Sequence, residues 1–219
     1  MKHSIVSFMV LCLVFGIAAC GDPAGVYKAE FVVGFQYQTA PYVGFTYISD
    51  TYMKSDDTTA DNDSAGVLYV GNTGTFIGRA LFKFNIFGLI PGDATITKAV
   101  LTTRLNAYGT GVAVSAHEMT EQWYDGACWD NNGNGPWNDG PGGSFDPQSM
   151  GTAVPDPALE GFYIELDPTV VQKWIRSYMD NKGFMIKADN ETIISNLRIT
   201  SSEQATYSFN PRLTIYFKK

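Results

Sequence analysis

The segment Arg79-Ala80-Leu81-Phe82-Lys83-Phe84-Asn85-Ile86 decides the fold class of this chain. Phe82, Phe84 and Ile86 fall on one side of an extended chain, and the polar residues between them fall on the other. Apolar and polar residues that alternate with a period of two predict a β-strand with one buried face. The segment is therefore interpreted as a core strand.

Similar short alternating segments follow one another on both sides of this strand, separated by clusters of Gly, Pro, Asn and Asp. Such clusters are turn signals, and many short strands between turns are typical of all-β sandwiches and barrels. The pattern predicts eight or nine strands. Besides the first strand, the clearest are 67–70, 96–105, 112–116, 162–166, 184–188, 197–200 and 213–217.

Only residues 169–177 carry a helical pattern, with Asp167 placed as N-cap and Pro168 at the first helical position. A parallel α/β sheet would need a helix after nearly every strand. The sequence therefore predicts an all-β fold, a two-sheet antiparallel β-sandwich of the jelly-roll type with one short helix.

The N-terminus has the pattern of an export signal. Met1-Lys2-His3 is followed by an uncharged apolar stretch, residues 5–19, which is shorter than the roughly 20 apolar residues of a transmembrane helix. The segment Ile17-Ala18-Ala19-Cys20 resembles the lipobox of bacterial lipoproteins, which implies that residues 1–19 are removed and that Cys20 is acylated. An ordinary secretory signal with a chance cysteine is the alternative. The lipoprotein interpretation predicts an exported protein held on a lipid bilayer, at the outer membrane or cell surface.

The predicted domain organisation has three parts: a signal peptide over 1–19, a lipidated N-terminus and tether over 20–46 with room for one short strand, and a sandwich domain over 47–219. Because Lys2 is the only charged residue in 1–19, the processed chain keeps 14 Lys and Arg residues against 22 Asp and Glu residues, a formal charge of −8. This charge argues against nucleic acid as a partner. Cys128 would have no cysteine to pair with in the chain, and it is predicted to be a buried small apolar residue.

Several blocks of the chain occur in the order of a known module. They are Asp50-Thr51-Tyr52, Leu68-Tyr69-Val70-Gly71, the strand 79–86, Leu89-Ile90-Pro91, 94–101, Trp123, Trp129, 142–145, 167–174, 181–184, Ser201-Ser202-Glu203 and Pro211-Arg212-Leu213. From about Ser49 to Phe217 the chain resembles the DNRLRE domain, a jelly-roll unit of surface proteins related to carbohydrate-binding module family 96. The resemblance implies polysaccharide binding for some members and a surface or packing role for others. It also places all four tryptophans at pattern positions, which favours packing roles for them.

Three functions follow from these observations. The first is a membrane-anchored, surface-displayed and non-catalytic carbohydrate-binding module, with a polysaccharide as partner. The second is a structural or adhesive surface protein without a glycan ligand, and the third is a polysaccharide-active enzyme. No nucleophile motif, zinc motif or phosphate loop occurs in the sequence, which argues against the third. The sequence leaves the glycan and the oligomeric state open.

Candidate ligand-binding residues combine aromatic faces with basic side chains that alternation places outward. The predicted contacts are Tyr69, Lys83, Lys98, Arg104 and Tyr108, with Lys187 and Arg198 as further members of a basic patch. If the basic residues share a face with a tyrosine, an acidic glycan is the expected ligand. If they are scattered and paired with carboxylates, a neutral glycan or no glycan is expected.

Two oxygen-rich loops are candidate calcium sites, and calcium is the one cofactor that the sequence suggests. Asp130, Asn132 and Asn134 match the opening of a calcium loop, but its twelfth position is Pro141 and not the usual Glu, which favours a plain Asn/Gly turn. A second cluster supplies hard oxygen ligands without a defined spacing. Its members are Asp56, Asp57, Asp61 and Asp63.

Overall fold

A computed structural model of the chain describes residues 30–37, 47–107, 111–156 and 158–219. These residues form eleven strands in antiparallel ladders and one α-helix, α1, at Pro168–Arg176. The strands are β1 Glu30–Gln36, β2 Ile48–Lys54, β3 Val67–Asn72, β4 Ile77–Phe84, β5 Thr95–Ala107, β6 Val114–Met119, β7 Phe145–Ala153, β8 Gly161–Leu166, β9 Phe184–Ala188, β10 Leu197–Thr200 and β11 Arg212–Lys218. The all-β prediction is confirmed.

The strands curl into the two layers of a sandwich. One layer has the order β1, β11, β5 and β8, and the other contains β2, β4, β9, β6 and β7. Strands β10 and β3 connect the layers, since β10 pairs with the end of β5 and β3 pairs with both β10 and β4. The chain bends at Gly71, whose φ is 81° and where a Cβ would overlap the Ser195 side chain.

The main core lies between the layers. Alternate residues of β4 and β5 supply it, among them Phe82, Phe84 and Leu101, which are all fully buried. Helix α1 closes one end of the sandwich with Val171, Trp174 and Ile175. The predicted helix start is confirmed, because the Asp167 side chain accepts a hydrogen bond from the Thr169 N–H at 2.8 Å.

A second apolar cluster lies on the outer face of the layer that contains β4, the face turned away from the main core. The long connection between β6 and β7, residues 120–144, folds over that surface and buries Trp123 and Trp137 against Met53, Leu81 and Met185. Cys128 is buried in the same connection, as predicted. This layer is therefore covered on both faces.

Strand β1 lies inside the predicted tether over 20–46, where the sequence left room for one short strand. This strand pairs along its whole length with β11, and Phe35 on it is fully buried in the main core. The folded unit therefore includes residues 30–37 and does not begin at residue 47. The signal peptide and Cys20 lie outside the described residues, and no helix within the described residues is long and apolar enough to cross a membrane.

Candidate functional site

The outward face of the β5 layer is an open surface built by alternation. Lys98, Val100, Thr102 and Arg104 point outward from β5, while Ala99, Leu101 and Thr103 between them are buried. Across the ladders, Thr102 lies opposite Arg212 of β11 on one side and opposite Tyr163 of β8 on the other. An exposed tyrosine and two arginines are thereby brought onto one face.

Arg104 and Arg212 both line a cavity of about 250 Å³ at one end of this face, which we call the arginine pocket. Since Arg212 faces Thr102, Arg104 is its diagonal neighbour, and such neighbours in an antiparallel ladder lie roughly 7–8 Å apart. Glu160 and Phe209 also line the pocket. Phe209 belongs to a 3₁₀ helix, Tyr207–Phe209, that precedes β11.

The guanidinium groups of the pocket are held by packing. Arg104 Cζ lies 4.0 Å from the centroid of the Phe209 ring. Arg212 lies across the backbone of Gly34 in β1, where a Cβ would overlap the guanidinium, so a side chain at this position would displace the Arg212 guanidinium. Among the described residues, no Asp or Glu oxygen is within ion-pair distance of either arginine, and Arg212 Nε is buried without a hydrogen-bond partner.

A third arginine lies further along the same curled surface. Arg198 of β10 is opposite Tyr69 of β3, and its Cζ is 5.0 Å from the Tyr69 ring centroid. The Tyr69 ring also packs against Tyr52, at 5.2 Å between centroids. Within the described part of the chain Arg198 has no acidic partner either, and its Nε is buried and unpaired. Tyr69 was predicted from the sequence as a ligand contact, and in the structure it is half-buried, with its ring against Arg198, Tyr52 and Phe76.

A chain of hydrogen bonds connects the rim of the pocket to a buried carboxyl group. Gln36 Nε2 donates to the Asn210 carbonyl at 2.7 Å, and Asn210 Nδ2 donates to the Ser202 carbonyl at 2.8 Å. The Ser202 N–H in turn donates to Asp50 Oδ2 at 2.8 Å. Burial raises the pKa of Asp50 from 3.8 to about 7; the Ser202 hydrogen bonds oppose this, while the charges of Glu203 and Asp63 add to it.

Two predicted lysine contacts are already engaged. Lys83 does not lie on an open face, because the 120–144 connection covers it. Its Nζ donates to the Trp123 carbonyl at 2.9 Å and lies 4.8 Å from the Trp123 ring centroid, and burial lowers the pKa of Lys83, with the charge of Asp125 opposing this. Lys98 shares the face of Arg104, but it forms an exposed ion pair with Glu165 at 3.1 Å. Tyr108 lies outside the described residues.

Several side chains of the predicted calcium loops form hydrogen bonds or ion pairs within the protein. Asn132 Oδ1 accepts from the Asn134 N–H at 2.9 Å, and Asn132 Nδ2 donates to Glu121 at 3.1 Å, as expected of a turn. Asp130 contacts the other loop through its N–H, which donates to the Thr58 carbonyl at 3.0 Å.

The second loop behaves in the same way. Asp61 Oδ1 accepts from the Asp63 N–H at 3.0 Å, Asp63 Oδ2 accepts from the Gly126 N–H, and Asp57 pairs with Lys54 at 3.5 Å. Asp56 is exposed. The described residues contain no group of three or more His, Cys, Asp or Glu side chains that could hold a metal ion.

We expect the melting temperature of the protein to be the same in millimolar calcium and in chelator. A ligand that binds only the native state stabilises it by RT ln(1 + [L]/Kd), so a calcium site would raise the melting temperature with added ion. Differential scanning calorimetry measures the difference. A rise with calcium that is lost in the variant Asp63→Asn, but kept in Asp156→Asn, would contradict the expectation and restore the sequence prediction.

No protein-family model matches this chain, and no curated protein matches it in sequence.

Proposed function

We propose that the protein is a membrane-anchored, surface-displayed and non-catalytic carbohydrate-binding module that binds acidic polysaccharide at the arginine pocket. The observation that carries the proposal is the pair Arg104 and Arg212, which line one cavity without an acidic partner among the described residues. The lipobox-like segment ending at Cys20 supports the anchoring part of the proposal.

Guanidinium groups suit this ligand for a chemical reason. A guanidinium presents a planar fork of N–H donors that matches a carboxylate or a sulfate with two parallel hydrogen bonds. It also stays charged at every physiological pH, so that a uronate polymer would be bound over a wide pH range. Glu160 on the pocket wall can accept hydrogen bonds from sugar hydroxyl groups, and the half-buried Phe209 ring supports Arg104 from behind.

The unpaired arginines also explain how a protein with a negative net charge can bind an acidic polymer. A processed chain with a charge of −8 repels acidic polymers at long range. The unpaired arginines place local positive charge on one face of the β5 layer, whereas Lys54, Arg79 and Lys173 elsewhere on the molecule are paired with carboxylates. Binding through few exposed charges is expected to weaken with salt, since the screening length falls from about 10 Å at 0.1 M to about 3 Å at 1 M.

The double variant Arg104→Ala with Arg212→Ala is expected to weaken binding to a uronate polymer at least tenfold. Hydrogen bonds to charged groups contribute roughly 1.5–3 kcal/mol each, and 1.4 kcal/mol corresponds to a factor of ten. Affinity electrophoresis in gels that contain a uronate polymer or a neutral polymer, at low and at high salt, measures the effect. The matched control is Arg176→Ala, since Arg176 is an exposed arginine at the C-terminal end of α1.

Three outcomes distinguish the candidate functions. Retardation by the uronate polymer that is lost in the double variant and retained in the Arg176 control supports the proposal. Equal retardation by neutral polymer would contradict the acidic ligand. Absence of retardation by any polymer would leave the structural or adhesive surface protein as the better interpretation of this fold.

A further inference from the structure

One end of the sandwich, which we call the helix end, is formed by α1 and the connections 85–94 and 178–183. Gln172 of α1 accepts a hydrogen bond from the Ile96 N–H at the start of β5, at 2.9 Å. Asn181 Nδ2 donates to the Phe84 carbonyl at the end of β4, at 2.7 Å. Strand β1 also begins here, because Glu30 pairs with Lys218, which itself pairs with Thr95.

Large apolar side chains are exposed at the helix end. Phe87, Tyr178 and Met179 are 50%, 56% and 69% exposed, and Phe31 at the start of β1 is 45% exposed where it stacks on Phe217. Single exposed apolar residues are ordinary on a soluble protein, but several at one end mark a contact surface. The charges at this end are mixed in sign, so any partner is bound mainly through the apolar side chains. The basic residues at this end are Lys173, Arg176, Lys182, Lys218 and Lys219, and the acidic residues are Glu30, Asp93 and Asp180.

The length of the chain before β1 limits which part of the domain can reach a bilayer. Ten peptide units connect Cys20 to Glu30, and they span at most about 35 Å when fully extended. Strand β5 has 13 residues and crosses the sandwich from the helix end, and its twelve residue-to-residue steps correspond to about 40 Å. A chain anchored at Cys20 therefore cannot place the opposite end of the domain on the membrane, whereas the helix end is always within reach.

We propose that the helix end rests on the bilayer that carries the anchor, with Phe87, Tyr178 and Met179 in the interface between water and lipid. The inference rests on the proposed anchoring at Cys20. Tyrosine suits this position because its ring is apolar and its hydroxyl group stays hydrated, and an exposed phenylalanine or methionine gains by leaving water. Arg104 lies nine residues along β5 from Thr95, roughly 30 Å away, so the arginine pocket faces away from the membrane.

Lipid-phase quenching tests this orientation in the full lipidated protein. A bimane label is attached at Met179→Cys or at Ser208→Cys, which lies on the rim of the arginine pocket. Labelling is selective, because Cys20 is acylated in this proposal and Cys128 is buried. The protein is reconstituted into vesicles of phosphatidylethanolamine and phosphatidylglycerol that contain nitroxide-labelled lipid. Quenching at position 179 is expected to be at least twofold stronger than at position 208.

A second set of variants tests the apolar side chains themselves. Phe87→Ser with Tyr178→Ser, in the Met179→Cys background, is expected to lower quenching to the level at position 208, and the matched control Tyr163→Ser is expected to leave it unchanged. Equal quenching at both positions in protein that floats with the vesicles would overturn the orientation and leave the anchor intact. Protein that does not float with the vesicles would overturn the anchor, and the inference with it.

Discussion

Replacing Trp174 with alanine is expected to lower the free energy of unfolding by roughly 3–5 kcal/mol, the usual cost of removing a large buried aromatic side chain. The Trp174 side chain is fully buried between α1 and the main core. Its ring stacks on Phe184 at 5.9 Å between centroids, and Phe184 stacks on Phe82 at 5.6 Å. The alanine variant therefore opens a cavity where the helix closes the sandwich.

Two further variants isolate the cause of this effect, and urea or guanidinium unfolding measures all three. The Trp174 Nε1–H has no hydrogen-bond acceptor among the described residues, so Trp174→Phe removes an unpaired buried donor and is expected to cost much less than alanine. Tyr163→Ala removes an exposed ring and is expected to change stability by about 0.5 kcal/mol or less. Equal stability of Trp174→Ala and Tyr163→Ala would contradict the packing of α1.

The parts of the fold that local pattern determines could be predicted from the sequence. Phe82 and Phe84 alternate with polar residues and face the core, and Asp167 with Pro168 marks the start of the helix. Strand β7 was not predicted, because its sequence Phe145-Asp-Pro-Gln-Ser-Met-Gly-Thr-Ala lacks apolar alternation. It is an outer strand that pairs with β6, so long-range pairing holds it and its own pattern does not.

The candidate site was predictable only in part, because contacts between segments distant in sequence also determine which side chains are exposed. Alternation correctly placed Arg104 on an outward face of β5. It also placed Lys83 on a polar face, but the 120–144 connection covers that face. Because this connection is distant in sequence, the alternation within β4 does not reveal that it covers the strand. Arg212 joins the pocket because of the register between β11 and β5, which the sequence alone does not give.

The buried carboxyl group of Asp50 is expected to make stability fall between about pH 4 and pH 7. Burial raises the pKa of Asp50 in the folded protein to about 7, whereas its ordinary value is 3.8. The folded state therefore binds the proton more tightly than the unfolded state. The stabilisation that protonated Asp50 gives the folded state is fully present below about pH 4 and is lost as the pH rises through about 7. A shift of about three units corresponds to a loss of roughly 4 kcal/mol by pH 8.

The variant Asp50→Asn tests this expectation, because an amide keeps an oxygen that can accept from the Ser202 N–H and carries no charge. Relative to wild type, it should gain stability between pH 4 and pH 8 by an amount approaching that loss, as measured by denaturant unfolding at several pH values. Asp56→Asn is the matched control, since Asp56 is an exposed carboxylate near the same strand. Parallel stability curves for Asp50→Asn and wild type would mean that Asp50 does not titrate between pH 4 and pH 8.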